Sequence, residues 1–286
     1  MSSFTLSHYA VAVHDLDEAV DTYGRLFGLR DQGRGEQEWG GFASAELGYA
    51  GERTLLLMAP TRDDTNLTRM MQLRANERNP HGEGVQLVVC QAEDPPQVAA
   101  AIEEAGGRTV PSNQPGGMFL VHPLATHCVL WEVQPSRPAA EGERPLRLSH
   151  MGIAVRDVAE AEATYSRLFG MSSTSPRWES EDGNFVASPW GIDGRQWLTI
   201  IQPKPGPGTV ERHMERNRDE QNPHGEGVFM SIWGASDPHA LAERVQAAGG
   251  RIIPTGDPGG RFFVHPLSTH GVFMEIGGPN IQGAPL

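Results

Sequence analysis

The chain has 286 residues, 38% of them hydrophobic, and a formal net charge of −13. This length corresponds to about two ordinary domains, and the acidic balance argues against a nucleic-acid partner, which would need a basic stripe. The two cysteines, Cys90 and Cys128, have no counterparts in the second half of the chain and do not indicate a disulfide framework. The start lacks a basic and apolar leader, and no apolar run approaches the roughly 20 residues of a membrane span. We therefore expect a soluble, cytoplasmic protein that does not bind a membrane.

The first predicted elements are a short strand at Tyr9–Val13 and an amphipathic helix. Asp15 is suited to cap this helix, and Gly28 lies where a glycine would end it. Three strand-like stretches and a polar crossover segment follow. The stretches are Gln32–Glu36, Gly41–Glu46 and Thr54–Met58, the last of which ends at Pro60.

The same order then returns before residue 135. The pattern predicts a strand at Val85–Val89 and a helix from Pro95 to Ala105. Three further strands follow at Arg108–Pro111, Met118–Val121 and Cys128–Val133. Each unit is therefore a strand, a helix and three strands.

The whole pattern is duplicated. Eight of the eleven histidines form pairs that are 142 or 143 residues apart, and the heptapeptide Asn79–Val85 recurs unchanged at Asn222–Val228. The histidine pairs are His8/His150, His81/His224, His122/His265 and His127/His270. We divide the chain into a domain at 1–135, a Pro-rich linker at 136–147, a domain at 148–278 and a tail at 279–286. Because histidine is a common metal ligand and acid–base group, its retention in both copies is the best indication of function.

This order of elements, with the motif SHxxxAVxD near each start and a strand glutamate near each end, resembles the vicinal oxygen chelate superfamily. That group includes glyoxalase I, methylmalonyl-CoA epimerase, extradiol dioxygenases and bleomycin-resistance proteins. Gly82–Val85 and His265–Glu275 resemble the epimerase-like branch most. The resemblance implies an α+β fold in which tandem βαβββ units make two half-open mixed barrels in one chain.

The resemblance also implies a divalent metal (Fe, Mn, Co, Zn or Ni) inside each barrel, held from four strands. His8 and His150 match the first ligand, and Glu132 and Glu275 match the last. The other two ligand positions hold Leu56 and Leu87 in the first copy, and Thr199 and Met230 in the second. Two protein ligands hold a divalent ion poorly. We therefore expect weak or absent metal, unless another residue is recruited.

Two further histidine pairs have open interpretations. His127 and His270 lie five residues before the glutamates, so strand alternation places them on the opposite face, and only a bulge or turn would make them ligands. His81 and His224 belong either to a structural turn or to the rim of a substrate pocket.

The remaining candidates have structural interpretations beside functional ones. His122 and His265 precede prolines and fit a turn. Thr199 and Met230 are weak candidates for the substrate pocket. Four tryptophans are expected to pack in the core rather than to surround a substrate. Three arginines either bind an acidic substrate or are exposed, solvated residues on a helix. These tryptophans and arginines are Trp39, Trp178, Trp190, Trp197, Arg69, Arg74 and Arg212.

The leading hypothesis is an enzyme of isomerase or lyase type that acts on a small carbonyl or enolisable compound. His150, Glu275, His8 and Glu132 would serve as metal ligands or acid–base groups. We favour the C-terminal copy, because Thr199 makes its pocket more polar than Leu56 makes the first. The alternatives are an extradiol-type ring-cleaving dioxygenase and a metal-free protein that binds or sequesters a small molecule such as a drug. Association into a homodimer is left open.

Overall fold

The computed structural model describes residues 4–38, 40–49, 51–112, 116–138, 144–180 and 184–281. Trp39, part of the predicted linker and most of the predicted tail lie outside these ranges. No helix among the described residues is both long and apolar enough to cross a membrane.

The first domain is one mixed sheet with three helices. The strands are paired in the order β2-β3-β4-β1-β5-β8-β7-β6, so the two βαβββ units meet where β1 and β5 pair antiparallel. The helices are α1 (Leu16–Phe27), α2 (Asn66–Arg74) and α3 (Pro95–Glu104). The strands are β1 (Phe4–Ala12), β2 (Arg30–Gln37), β3 (Phe42–Tyr49), β4 (Glu52–Pro60), β5 (Gly84–Ala92), β6 (Thr109–Pro111), β7 (Phe119–Val121) and β8 (Trp131–Pro135).

The second domain repeats this arrangement in the order β10-β12-β13-β9-β14-β17-β16-β15, with β11 paired to β12. Its helices are α4 (Val158–Phe169), α5 (Thr209–Arg216) and α6 (Pro238–Ala247). Its strands are β9 (Leu146–Ala154), β10 (Ser172–Ser173), β11 (Trp178–Glu179), β12 (Phe185–Ile192), β13 (Arg195–Pro203), β14 (Gly227–Ala235), β15 (Ile252–Pro254), β16 (Phe262–Val264) and β17 (Met274–Gly277). Neither sheet closes on itself. The predicted fold, tandem βαβββ units in two half-open mixed sheets, is confirmed.

The local signals at α1 act as the sequence predicts. The Asp15 carboxylate accepts a hydrogen bond from the Glu18 amide at 3.0 Å, which satisfies a free donor at the start of the helix. Gly28 ends the helix with a φ of 75°, in the left-handed region that glycine adopts without strain. Asp157 and Gly170 serve α4 in the same way.

The largest hydrophobic core is shared by the two domains. Phe4 of β1 packs on Trp197 of β13 with ring centroids 5.2 Å apart, and Trp131 packs on Phe169 at the same distance. Tyr9 meets Trp233 edge to face at 5.8 Å. Burial of large aromatic groups from both copies makes the two sheets one cooperative unit.

The other face of each sheet, which we call the inner face, carries a small separate core. In the first domain Leu67 and Met71 of the crossover helix α2 cover Ala10, Leu87 and Val89. In the second domain Val210 and Met214 of α5 cover Ala154, Met230 and Ile232. The predicted metal ligands belong to these inner faces.

Candidate functional site

Each predicted histidine–glutamate pair lies in one row across three strands. His8 is opposite Val89 of β5, and Val89 is opposite Glu132 of β8. In the second domain His150 and Glu275 flank Ile232 in the same way. Because Val89 and Ile232 belong to the inner-face cores, both pairs face the interior of their own domain. No direct hydrogen bond joins the histidine to the glutamate in either described pair.

The positions of the two missing ligands form a second row, two residues further along. In the second domain Gly152 is opposite Thr199 on one side and Met230 on the other. The Met230 side chain lies over Gly152, where a Cβ would approach its Cγ to 2.6 Å. Leu56 and Leu87 flank Ala10 in the first domain.

This donor set does not fit a divalent metal. Hydrocarbon, hydroxyl and thioether groups stand where carboxylate and imidazole ligands are needed. Within the residues that the structure describes, no three His, Cys, Asp or Glu side chains come together as a metal site.

In the first domain a guanidinium lies between the predicted residues. Arg53 of β4 is 3.4 Å from His8 Nε2 through its Nη1 atom, and it forms an ion pair with Glu46 of β3. Burial, and next the charge of Arg137, lower the pKa of Arg53 to about 10, whereas Glu132 opposes this shift. Burial and the charge of Arg53 hold the pKa of His8 well below its ordinary value. A fixed cation thus occupies the neighbourhood in which a metal would have to bind.

In the second domain an uncharged side chain takes the position of Arg53, and the cation beside the row is Arg261, 3.5 Å from Glu275. Gln196 pairs with Gly191 as Arg53 pairs with Gly48, so Gln196 is the structural counterpart of Arg53. Its amide donates to the Thr199 hydroxyl at 2.8 Å. Thr199 is buried and does not line the cleft that lies between α2 and α5.

His150 is a neutral, oriented imidazole. It is 1% exposed, and burial lowers its pKa to about 3. Its Nδ1 atom lies 3.0 Å from Ser149 Oγ, which donates its proton to the Ile281 carbonyl at 2.9 Å. Because the hydroxyl proton is used there, Ser149 accepts from Nδ1–H, and Nε2 is left with its lone pair.

Glu275 is a carboxyl group that titrates near neutral pH. Burial raises its pKa to about 7, against the opposing charge of Arg261, whose Nη1 is 3.5 Å from the carboxylate. Arg261 is also 3.3 Å from Asp257. Burial likewise raises the pKa of Glu132 in the first domain, where Gln134 donates to the carboxylate and Arg53 lies near. A carboxyl pKa near the working pH is typical of acid–base groups.

His127 and His270 lie at the domain interface rather than on the inner faces. His127 Nδ1 is 3.0 Å from Glu226 of the other domain, and His270 Nδ1 is 3.0 Å from Glu83. Their φ angles of 53° and 51°, just after the 3₁₀ turns at Pro123–Ala125 and Pro266–Ser268, direct both side chains across the interface. This placement pairs each histidine with a carboxylate of the other domain, and their recruitment as metal ligands stays a prediction.

Glu83 and Glu226 form the contacts between the domains, and the sequence did not single them out. The other oxygen of each accepts a backbone amide of its own domain at 2.8 Å, from His14 and Arg156 respectively. Burial opposes ionisation, but these bonds and the histidines outweigh it and lower the pKa of both carboxylates. The signal was present, because the glutamate and the Thr-His turn are both repeated.

The other histidines of the repeats lie at the surface or in turns. The His81 ring stacks on His14 at 4.0 Å, and His224 Nε2 is 3.2 Å from the Arg156 guanidinium. Both are exposed. His122 and His265 accept backbone amides in the 3₁₀ turns, at 3.3 and 3.2 Å, so they have the structural role expected for a turn.

A cleft of about 1480 Å³ separates α2 and α5, and neither histidine–glutamate row lines it. His81 lies on its rim, and Leu87 and Met230 lie on its floor. His224 lines a separate groove of about 620 Å³. The predicted pocket residues are therefore distributed over different surfaces.

The fold and the inner-face rows define a tandem βαβββ protein with one His–Glu pair in each domain. The family model of the Glyoxalase/Bleomycin resistance protein/Dioxygenase superfamily matches residues 5–120 and 147–275. The chain belongs to this superfamily.

Known proteins show two kinds of similarity. The ethylmalonyl-CoA/methylmalonyl-CoA epimerase of Cereibacter sphaeroides is 26% identical over 139 residues, which are 46% of this chain and 96% of that protein. A mutant 4-hydroxymandelate synthase from Streptomyces coelicolor has the same fold, with a TM-score of 0.75 and 17% identity over 98% of this chain and 95% of that chain. A variant methylmalonyl-CoA epimerase of the same organism, in complex with 2-nitronate-propionyl-CoA, is 27% identical over 49% of this chain and 100% of its own, with a TM-score of 0.42.

Proposed function

We propose that the C-terminal domain catalyses proton transfer at a carbon next to a carbonyl group, in an isomerase- or lyase-type reaction on a small enolisable compound. The observation that carries this proposal is the pKa of Glu275, which burial raises to about 7 while His150 in the same row stays neutral. A carboxylate with this pKa accepts a proton near neutral pH and returns it in the next step.

The two polar side chains of the row and the arginine beside it have complementary parts in this proposal. Glu275 removes the proton from the carbon. Arg261, 3.5 Å from Glu275, supplies the positive charge that stabilises the developing enolate oxygen. His150 accepts a hydrogen bond at Nε2 and orients the substrate, because Ser149 holds its Nδ1–H. None of these parts requires a metal.

Substrate has to reach a buried row. The Ile281 carbonyl is bonded to Ser149, and Ile281 packs on the inner-face core. We infer that substrate reaches the row beside this segment, whose bond to Ser149 fixes the tautomer of His150.

The first domain is unsuited to the same reaction. Arg53 lies against His8 and is paired with Glu46, and we infer that this cation competes with substrate for the histidine. In the second domain the neighbouring cation, Arg261, lies against the glutamate instead. The dioxygenase alternative requires two histidines and a carboxylate around iron, and the donor set of neither domain fits it. The metal-free binding protein is the second candidate, since Leu56, Leu87, Thr199 and Met230 remove the ligands.

Hydrogen exchange tests the proposal directly. The similarity to an epimerase of malonyl-type thioesters makes methylmalonyl-CoA the first probe, with small 2-oxo acids and β-keto acids beside it. The protein is incubated with each probe in D₂O, and loss of the proton on the carbon next to the carbonyl is followed by NMR. We expect Glu275→Gln to slow exchange by about a hundredfold or more, and the wild-type rate to rise as pH rises through about 7.

The duplication provides the matched control. Glu132→Gln makes the same change in the row of the first domain and should leave most of the exchange rate. Equal losses from both substitutions would mean that both rows work. Tight binding of a probe without any exchange, in wild type and both variants, would reject the enzyme and favour the binding protein.

A further inference from the structure

Four arginines converge on the cleft between the two domains. Arg74 ends α2 and Arg78 follows it, whereas Arg212 and Arg216 lie on α5 of the other domain. The two helices are the equivalent crossover helices of the two copies. The cleft is therefore lined by guanidinium groups from both sides.

These arginines lack acidic partners among the described residues. None of the four takes part in an ion pair with a described carboxylate, although the chain has a net charge of −13. The Nη1 atom of Arg74 is inaccessible to solvent and has no hydrogen-bond partner in the described part of the chain. An inaccessible guanidinium nitrogen without a partner costs free energy that a bound anion would recover.

The arginines also repel one another. Burial lowers the pKa of Arg216, and next the charges of Arg78 and Arg212 lower it further. His213 lies near these arginines. Burial lowers its pKa to about 4, and the charges of Arg216 and Arg74 lower it as well. Like charges held together in this way destabilise the empty cleft.

The acidic groups that line the cleft have other partners. Glu83 and Glu226 are bonded to His270 and His127 across the interface. Glu18 accepts from the Thr22 hydroxyl at 2.9 Å and lies 3.3 Å from His270. Asp219 accepts the backbone amides of Gln221 and Asn222 at 2.7 and 2.8 Å. Among the described residues, none of these carboxylates forms an ion pair with the four arginines.

The walls of the cleft include apolar side chains. Leu73, beside Arg74, is 47% exposed, and Phe229 and Phe273 line the other domain's side with ring centroids 5.7 Å apart. A ligand that fits here carries oxyanion groups for the arginines and an apolar part for these walls.

We propose that the interdomain cleft is a binding site for a small organic oxyanion with two or more negative charges, a phosphate ester or a dicarboxylate, held by Arg74, Arg78, Arg212 and Arg216. Guanidinium groups match carboxylate and phosphate oxygens in geometry. The site is separate from the His150–Glu275 row, so the proposal does not depend on the proposed reaction.

Calorimetric titration with pyrophosphate and with malonate, at constant ionic strength, tests the site. We expect saturable binding of at least one of them to the wild-type protein, and the pattern of binding tells a phosphate site from a dicarboxylate site. Arg74→Gln with Arg216→Gln should weaken that binding by at least about tenfold. Glu275→Gln should leave it unchanged.

Arg69→Gln is the matched control, because Arg69 lies on α2 but does not line the cleft. It removes one positive charge, against the two that the double variant removes, and should change binding by less than about twofold. The melting temperature of the double variant without anion should be equal to or above that of wild type, since repulsion is relieved, and this shows that the variant is folded. Absence of binding for both anions at millimolar concentration, or an equal loss in Arg69→Gln, would overturn the proposal.

Discussion

His127 Nδ1 and Glu226 Oε2 are 3.0 Å apart across the domain interface, and His270 and Glu83 make the same contact in the opposite direction at the same distance. Each glutamate lies in one copy of the identical heptapeptide, and each histidine lies in the turn before the last strand of the other copy. The two contacts are related as in a two-fold symmetric interface. The carboxylates of Glu83 and Glu226 also accept backbone amides of their own domains. Each glutamate therefore connects three segments of the chain.

Removing one of these histidines should destabilise the whole protein. The His127 side chain is 8% exposed, and its loss leaves the Glu226 carboxylate without its partner. We expect His127→Ala to lower the free energy of unfolding by about 1 to 3 kcal/mol, measured by urea denaturation. His81→Ala is the control, because His81 is exposed, and it should change stability by less than about 0.5 kcal/mol. Equal effects would contradict a special role for the interface pair.

Acid should weaken the interface through Glu83 and Glu226. The pKa of both carboxylates is below the ordinary value of 4.5 in the folded protein. Their contribution to stability is therefore present above pH 4.5 and is lost as pH falls through the lower, folded-state pKa. The double variant Glu83→Gln/Glu226→Gln should show a flatter loss of stability below pH 4.5 than wild type. The exposed Glu104→Gln should retain the wild-type slope, and a slope unchanged in the double variant would refute the assignment.

Glu275 should have the opposite effect on stability. Its folded-state pKa is raised from 4.5 to about 7, so the protonated form is favoured by folding. The stability it contributes is fully present below pH 4.5 and is lost as pH rises through about 7. Glu275→Gln should therefore raise the free energy of unfolding at pH 8 by about 1 to 3 kcal/mol, and should change it little at pH 4. If the gain were the same at both values, burial of a charged Glu275 would not be its cause.

Restoring the two missing ligands should create a metal site in the second domain only. Thr199→Glu with Met230→His places a carboxylate and an imidazole in the row beside Gly152, with His150 and Glu275 already present. We expect this variant to bind Co²⁺ with the visible absorption of a coordinated ion. The equivalent change, Leu56→Glu with Leu87→His, should fail because Arg53 lies against His8. Equal binding by both variants would show that Arg53 does not block the first domain.

The repeat and the order of elements predicted four βαβββ units, and the resemblance to the superfamily predicted the two half-open barrels and the His–Glu pairs. The offset between histidines identified two copies, and period-two alternation placed His8 and Glu132, and His150 and Glu275, on one face each. Arg53 was not foreseen. It lies one residue before the predicted fourth strand, and a bulge at Leu47–Gly48 of β3 shifts its register.

The contacts at the domain interface could not be predicted from the sequence either. Strand alternation predicted that His127 faces away from Glu132, but His127 lies in the turn before β8. Its partner in the other domain depends on how the two sheets pack. No local pattern specifies that packing. Nor does it specify the φ of 53° that directs the ring toward Glu226.

The reciprocal contact also bears on how the two copies could diverge after duplication. Each heptapeptide contacts the turn of the other copy, so a substitution in either one alters the contact between the domains. The two Asn-Pro-His-Gly-Glu-Gly-Val segments therefore have to keep the same geometry. The inner faces are not constrained in this way, because each is enclosed by its own sheet and its own crossover helix. Arg53 and Gln196 accordingly differ at one equivalent position inside the domains, while the contacts between the domains are the same in both copies.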